Sequence, residues 1–583
     1  MLYKSPNTVS KSSAGTLARG VERLLQRDFG ARSFAFCLAI FTAAAALFLW
    51  PGVFFVSLLL NDTFIYAETG YRLAFGQVPG LDATNAVGFF TFVPYALAFR
   101  LLHNAAQAIS LSFVIFAVIV FALAAVIALG RLSAVIGTIV VLTCSAVMLS
   151  PFYIGYELPG EVTTTAASTY NRFGFLLVLL AALLAIEPRL RYPRLWRGVD
   201  LIWAIATTML AFYTKMPFGL GVAGVIAFWL VAMRRDWLGV ATLIVGCGLL
   251  ALGVEAVWPG LNKGYIEEMV FAAHATGGAL RPWSLAMIAI RTAPEFLAFA
   301  VVPLIALFWA DHADRRDAVL AALLCGGSIV ILSQSAQGMV LVTPVAIAVI
   351  AVARLSGAEA TSARRMALWV SLVAVVAGFV ALATPAVLML GRHTINAAHA
   401  TTPGNMPFNY RSLRVIDDGN VAALDAAMTG SADSAKTYAA SHLRTQRFNR
   451  SPLFENEYAY TIAKLAAARD LCGSERDRTA VLDFANMSSS LFGHPPAGAW
   501  TYLHWQRSFS ADASVPPARL FAGVGCLFDP KLPQFPETNA GIWSVYGNYL
   551  RAHYRLAGET PFWRVFILGT EPKAGAARTS PAK

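Results

Sequence analysis

Charged side chains are scarce in this chain. Asp, Glu, Lys and Arg make up 13% of its 583 residues, whereas 57% are hydrophobic. So low a charge content and a mean hydropathy of +0.60 exclude an ordinary soluble protein. Many uncharged stretches approach the length of about 20 residues that crosses a bilayer as a helix. The composition therefore indicates a polytopic membrane protein.

Several motifs of familiar chemistry are also missing. The chain has no Walker loop, no glycine-rich phosphate fingerprint after a strand, no repeat of fixed period and no zinc-like Cys or His spacing. ATP-driven transport is therefore not expected, and the cofactor stays open, a divalent cation included. The net charge of +12 comes from short arginine clusters between apolar runs, which argues against a nucleic-acid partner.

Eleven apolar segments are predicted to span the membrane. They lie near 34–60, 108–130, 133–152, 172–187, 199–214, 217–233, 238–257, 294–310, 318–334, 338–354 and 367–390. With residues 1–33 in the cytoplasm, the arginine clusters between spans all fall on the cytoplasmic side. This arrangement requires that 89–102, which is short and broken by Pro94, lies in the outer interface without crossing.

The predicted fold is an all-α polytopic membrane domain of about 11 transmembrane helices, followed by a C-terminal soluble α/β periplasmic domain. The predicted segments are a cytoplasmic stretch 1–33, a membrane domain 34–391 with a first outer loop 61–107, a periplasmic domain 392–572 and a disordered tail 573–583. Helices are expected at 415–428 and 455–470, and strands at 480–484 and 519–528.

Two of the six cysteines fall in the predicted periplasmic domain. An oxidising compartment would allow Cys472 and Cys526 to form a disulfide bond. The alternative, two unpaired buried thiols, stays open because spacing alone does not show that their Cα atoms approach each other.

Asp62 directly follows the first apolar run. Apolar residues recur at helical spacing over 63–75, which predicts an amphipathic helix on the outer leaflet with Asp62 at its N-terminal end. One interpretation makes Asp62 an ordinary helix N-cap. The other makes it a functional carboxylate, since Glu68, Arg72 and Asp82 add further charge where charge is costly.

Other polar side chains are predicted near the outer ends of later spans. Tyr170, Arg172 and Lys215 are candidates for binding a ligand there, because a buried cation is costly without an anionic partner. Snorkelling to the interface would explain the cations equally well. A turn would explain Asp82, and Glu157 and Glu161 fit a solvated loop.

Several of these segments together resemble a known superfamily. They are an acid directly after the first membrane helix, then Gly76-Gln77-Val78-Pro79, Leu81-Asp82, Thr169-Tyr170-Asn171-Arg172-Phe173-Gly174 and Phe212-Tyr213-Thr214-Lys215. The pattern is similar to that of GT-C type glycosyltransferases, which include lipid A aminoarabinose transferases and protein O-mannosyltransferases. Many relatives have two acids in the first loop, whereas Asn61-Asp62 has one, and this leaves metal dependence open.

The resemblance implies a specific activity. A sugar would pass from a polyprenyl-phosphate donor to an envelope lipid or glycan acceptor, among membrane lipids at the periplasmic face of the bacterial cytoplasmic (inner) membrane. Asp62 would be the general base of an inverting displacement, and Glu68, Arg72, Asp82, Tyr170, Arg172 and Lys215 would bind substrates. The alternatives are a glycan polymerase or ligase acting on lipid-linked oligosaccharides, and a non-catalytic lipid or glycan transporter.

Overall fold

The structure is a computed structural model. It describes residues 24–85, 87–153, 163–188, 193–275, 282–333, 339, 341–356, 361–400, 406, 408–442 and 451–569.

Long apolar helices dominate the first two thirds of the chain. Within the described ranges, eight helices are long and apolar enough to cross a membrane: Ala31–Leu49, Ala105–Ala128, Leu195–Thr214, Met216–Arg234, Trp237–Val257, Leu285–Trp309, Arg315–Ser333 and Ser362–His399. Three shorter apolar helices, Ala134–Leu149, Thr169–Ala185 and Val342–Ser356, fall at the remaining predicted spans. The predicted polytopic helical fold is confirmed.

Two of the shorter apolar helices lie in the interior of the helix bundle. Thr169–Ala182 and Val342–Ser356 are buried along nearly their whole length. A helix that is apolar on every side is stable only when other helices surround it. Trp237–Val257, in contrast, has just two buried residues and presents its apolar surface outward, as a helix facing lipid would.

The segment predicted to remain at the interface forms a 3₁₀ turn, Phe89–Phe92, and a short helix, Val93–Leu101. At 1.5 Å per residue the helix is about 14 Å long, less than half of a bilayer's hydrocarbon thickness. Its length therefore agrees with a segment that does not cross.

The first outer loop contains the helix Leu60–Ala74, called here the loop helix. The prediction that it lies on the outer leaflet is wrong, because 13 of its 15 residues are buried. It lies between the short Val93–Leu101 helix and the C-terminal domain. Gly70 permits the first contact, since a Cβ there would lie 2.3 Å from the Cβ of Tyr95. Phe64 makes the second, edge-on to Tyr410 and Tyr458.

The C-terminal domain is α/β, as predicted. Its four-stranded sheet has the order Thr479–Val481, Cys526–Pro530, Trp563–Leu568, Tyr554–Glu559, with the first pair parallel and the others antiparallel. Its main helices are Val421–Thr429, Ala432–His442, Glu455–Ala463, Leu465–Arg469 and Pro536–His553. Residues 517–520 are helical, so the strand predicted from 519 begins later, at Cys526.

Two features connect this domain to the rest of the chain. Ser362–His399 continues past the predicted boundary at 391, because 38 helical residues extend about 57 Å, well beyond a bilayer core. A parallel pair of strands, Phe54–Val56 and Leu413–Val415, then attaches the start of the domain beside the loop helix. Inside the domain, Cys472 and Cys526 form a disulfide bond, so the paired alternative is the one observed.

Candidate active site

The N-terminus of the loop helix is capped by a residue from the C-terminal domain. Leu59, at the N-cap position, has a left-handed backbone with φ 57°. Glu455 accepts hydrogen bonds from the backbone N–H groups of Leu59 and Leu60, both at 3.1 Å. A carboxylate at this position satisfies helix donors that would otherwise be unpaired. The N-cap interpretation of Asp62 is therefore wrong, because Glu455 performs that function.

Asp62 is left available in the first turn of the same helix. Among the described residues, its carboxylate accepts one hydrogen bond, from the neighbouring Asn61 side chain at 3.0 Å. The side chain is half-buried, and burial raises the pKa of Asp62 from 3.8 to about 7. A carboxylate with a pKa near 7 is suited to accept a proton at physiological pH.

Two tyrosines lie within the electrostatic reach of Asp62. Tyr66 is one helical turn further along the loop helix, and Tyr170 begins the buried Thr169–Ala182 helix. Their ring centroids are 6.4 Å apart, and the charge of Asp62 acts on both phenols. The pKa of Tyr66 is raised well above 10 by burial first, then by Tyr170 and Asp62. Tyr66 therefore stays a neutral hydrogen-bonding group.

Lys215 reaches the same place from another pair of helices. It occupies the junction between the helices Pro193–Thr214 and Met216–Phe228, and its ammonium lies 5.1 Å from the centroid of the Tyr170 ring. Burial lowers the pKa of Lys215 to about 8. Asp62, Tyr66, Tyr170 and Lys215, called here the Asp62 cluster, thus join a base, two phenols and a cation from three separate segments.

The C-terminal domain also faces this cluster. The positive charge of Arg507 acts on Tyr170 and on His504. Neither Arg507 nor Glu455 could be found from the sequence, because nothing in their local patterns indicates contact with the first loop. The separation between Glu455 and Leu59 is 396 residues.

Glu68 and Arg72 do not line the Asp62 cluster. They form a buried ion pair at 2.7 Å, with both side chains at most 1% exposed. Arg72 also donates to the backbone carbonyls of Gly498 and Ala497, at 2.8 and 2.9 Å, and Glu68 accepts from the N–H of Ser490 at 2.8 Å. These contacts attach the loop helix to the C-terminal domain. The geometry favours a structural role over the predicted substrate contact.

Arg172 and Asp82 are likewise engaged in local structure. Arg172 donates to the carbonyls of Val147 and Ser150 at the end of the Ala134–Leu149 helix, and its guanidinium lies 4.8 Å from the Phe152 ring centroid. Asp82 is exposed and accepts from the Val78 N–H at 2.7 Å, which closes a turn. The turn interpretation fits Asp82, and helix capping fits Arg172 better than a phosphate contact.

Across the part of the chain that the structure describes, no three His, Cys, Asp or Glu side chains form a group able to hold a metal ion. Glu157 and Glu161, the acids of the second outer loop, lie outside the described residues.

Fold and cluster together define a polytopic helical membrane protein with an acid–cation site beneath a C-terminal α/β domain. The chain is similar to two crystal structures of ArnT from Cupriavidus metallidurans. For the structure bound to undecaprenyl phosphate, the TM-score is 0.41 at 14% identity, over 91% of this chain and 97% of that chain. For the apo structure, the TM-score is 0.38 at 13% identity over the same shares.

No protein-family model matches the chain, and the comparison with curated proteins gives no match. The likeness carries no argument about the site, and the function proposed next depends on this chain's own residues.

Proposed function

We propose that this protein is a membrane glycosyltransferase that moves a sugar from a polyprenyl-phosphate donor to an envelope lipid or glycan acceptor at the periplasmic face of the bacterial inner membrane. The observation that carries the proposal is Asp62, a half-buried carboxylate with a pKa near 7 that Glu455 relieves of the helix-capping role. Even a half-buried acid with no structural role destabilises the fold, so its presence favours a functional role.

Asp62 is the general base in this scheme. It accepts the proton of an acceptor hydroxyl as that oxygen forms a bond to the anomeric carbon of the donor sugar. The bond between the anomeric carbon and the phosphate oxygen breaks, and the polyprenyl phosphate leaves with the electron pair. Because the acceptor oxygen attacks the face opposite to the departing phosphate, the reaction inverts the configuration at the anomeric carbon.

Lys215 is the phosphate contact. Burial removes water from the ammonium group and lowers the pKa of Lys215 to about 8. At a pH near 7 the side chain is therefore still mostly protonated. A lipid phosphate brought beside Lys215 would stabilise its charged form, and the cation would stabilise the negative charge of the leaving group. Tyr170, 5.1 Å from the Lys215 ammonium and under the influence of Asp62, lies between cation and base and is placed to orient the donor.

The experiment uses a strain that lacks the protein, because the unused donor should accumulate there. Lipids extracted from that strain would be incorporated with the purified protein into proteoliposomes, together with envelope glycolipids from the same strain as acceptor. We expect free polyprenyl phosphate to be released as a sugar-sized mass increment appears on an acceptor. An unchanged set of envelope glycans in the strain, with no polyprenyl phosphate release in vitro, would contradict the proposal.

A further inference from the structure

A concave region lies at the end of the loop helix opposite to Asp62. A cleft of about 1070 Å³ opens between the turn that follows this helix and the C-terminal domain. Phe75 and Gly76 form one wall, and the segment 492–499 forms the opposite wall. Phe75 follows Asp62 by thirteen positions, which is about 20 Å along the helix axis. This distal cleft is therefore separate from the Asp62 cluster.

Bare backbone forms much of the wall of the distal cleft. Gly76, Gly493, Gly498 and Gly523 line it, with φ values of 91°, 70°, 72° and 73°. A Cβ added at Gly76 or Gly523 would meet nothing within 4 Å, so both face open space. Glycine at such positions allows a ligand to approach peptide groups closely. Peptide N–H and C=O groups are well suited to hydrogen-bond with hydroxyls.

The charges of the cleft are balanced within its own wall. Arg469 forms an ion pair with Asp477 at 2.6 Å, and Arg478 pairs with Glu475. Asp82, on the wall that faces these arginines, accepts a hydrogen bond from the Val78 N–H. These carboxylates offset the charge that the two arginines would offer an anionic ligand. An uncharged polar ligand does not depend on that charge.

One aromatic ring is presented at the edge of the cleft. Phe75 is 55% exposed, and its ring is held against Tyr71 with centroids 4.7 Å apart. An exposed ring costs hydrophobic free energy that a stacked ligand would recover. A sugar ring has an apolar C–H face for such a contact and hydroxyls for the surrounding peptide groups.

We propose that the distal cleft binds an uncharged stretch of saccharide, namely the part of an extended glycan acceptor that lies about 20 Å from the reacting hydroxyl. The assignment of this saccharide as an acceptor rests on the proposed function, whereas saccharide binding does not. The acceptor would then be an oligosaccharide or polysaccharide several sugars long.

Binding can be measured without turnover on the full-length Asp62→Asn protein in nanodiscs. Saturation-transfer NMR and calorimetry would follow maltotetraose and chitotetraose as neutral probes and tetragalacturonate as the anionic one. We expect saturable binding of a neutral probe, weakened about 3- to 10-fold by Phe75→Ala, since a stacked ring contributes about 0.5–1.5 kcal/mol. Phe75→Trp should retain binding. Leu101→Ala, which removes an exposed apolar side chain on the Val93–Leu101 helix, is the matched control and should change nothing.

Three results would overturn the inference. They are no saturable binding of either neutral probe, tighter binding of tetragalacturonate than of the neutral probes, or equal affinity for a neutral probe with and without Phe75→Ala in the Asp62→Asn protein. Because the sample is inactive, none of these bears on whether the protein transfers sugar. In the transfer assay, Phe75→Ala should raise KM for long acceptors and leave kcat unchanged. An equal effect on short acceptors would also contradict the inference.

Discussion

Replacing Asp62 with Asn tests the site most sharply, because function and stability should change in opposite directions. Asn keeps the shape of the side chain and its place in the first turn, but it cannot accept the acceptor proton. Loss of a general base typically costs a factor of about 10² to 10⁴ in rate, or roughly 3–5 kcal/mol in the activation barrier. Transfer in proteoliposomes should fall by that factor while substrate binding persists.

The stability of the same variant follows from the raised pKa of Asp62. The folded state holds the proton more tightly than the unfolded chain, so the stability that this gives is complete below pH 4 and is lost as pH rises to about 7. Asn avoids that loss. Because Asp62 is partly exposed and solvent screens it, the gain at pH 8 should be on the order of 1–3 kcal/mol. Thermal unfolding in detergent should therefore show a higher Tm for Asp62→Asn at pH 8 and little difference at pH 4.

Glu455→Gln provides the structural control for this prediction. This change weakens the cap that accepts hydrogen bonds from the Leu59 and Leu60 N–H groups, and it should lower the Tm by the equivalent of about 1 kcal/mol. Full transfer activity in Asp62→Asn would refute the role of Asp62 as base. A lower Tm for Asp62→Asn than for the parent at pH 8 would show that the carboxylate is structural.

Three further changes test other parts of the account. Lys215→Met should weaken the binding of labelled polyprenyl phosphate and lower kcat/KM about 10²- to 10³-fold. Lys215→Arg should retain part of the binding and part of the activity. Unchanged binding and kcat/KM in Lys215→Met would exclude the phosphate contact. Arg72→Met leaves the Glu68 carboxylate buried without its cation, so the free energy of unfolding should fall by about 3–5 kcal/mol and protease should cut between the domains sooner. An equally stable variant would contradict the role of this ion pair in attaching the loop helix to the C-terminal domain. Replacing both Cys472 and Cys526 with Ser opens a loop of 54 residues and should lower the stability of the C-terminal domain by about 2–4 kcal/mol, with transfer retained at low temperature. An unchanged Tm would show that the disulfide bond adds no stability.

The pH dependence of transfer gives an independent check on the Asp62 cluster. The active form of the free enzyme has Asp62 ionised and Lys215 protonated, which requires a pH above about 7 and below about 8. A plot of kcat/KM against pH should therefore be a narrow bell with its maximum between those values. Lys215→Arg should remove the alkaline limb, because the guanidinium stays charged.

The sequence was sufficient for the parts of the fold that depend on hydropathy. Each predicted span contains an apolar helix, and the segment predicted not to cross contains the short helix Val93–Leu101. Such elements are readable because the bilayer imposes one length and one polarity on each crossing segment.

The sequence was insufficient where distant segments meet. The loop helix looks amphipathic in isolation, and it is buried because a domain that begins more than 300 residues later covers its polar side through Arg72 and Glu68. The same domain supplies Glu455, which caps the helix in place of Asp62, and nothing in the local pattern of either residue indicates this contact. Tyr170 and Lys215, predicted because polar residues at helix ends are rare, lie close together, whereas Arg172, predicted for the same reason, caps a neighbouring helix.

The central claim is that Lys215 contacts a lipid phosphate and that Tyr170 orients the donor toward Asp62. Photo-crosslinking with a polyprenyl phosphate that bears a diazirine on the isoprene unit next to the phosphate tests it directly, with the labelled peptides located by mass spectrometry. The account predicts labelling of the segments 60–66, 168–171 and 213–217, and competition by unlabelled polyprenyl phosphate. Labelling confined to the arginine-rich turns at the opposite ends of the helices would contradict it.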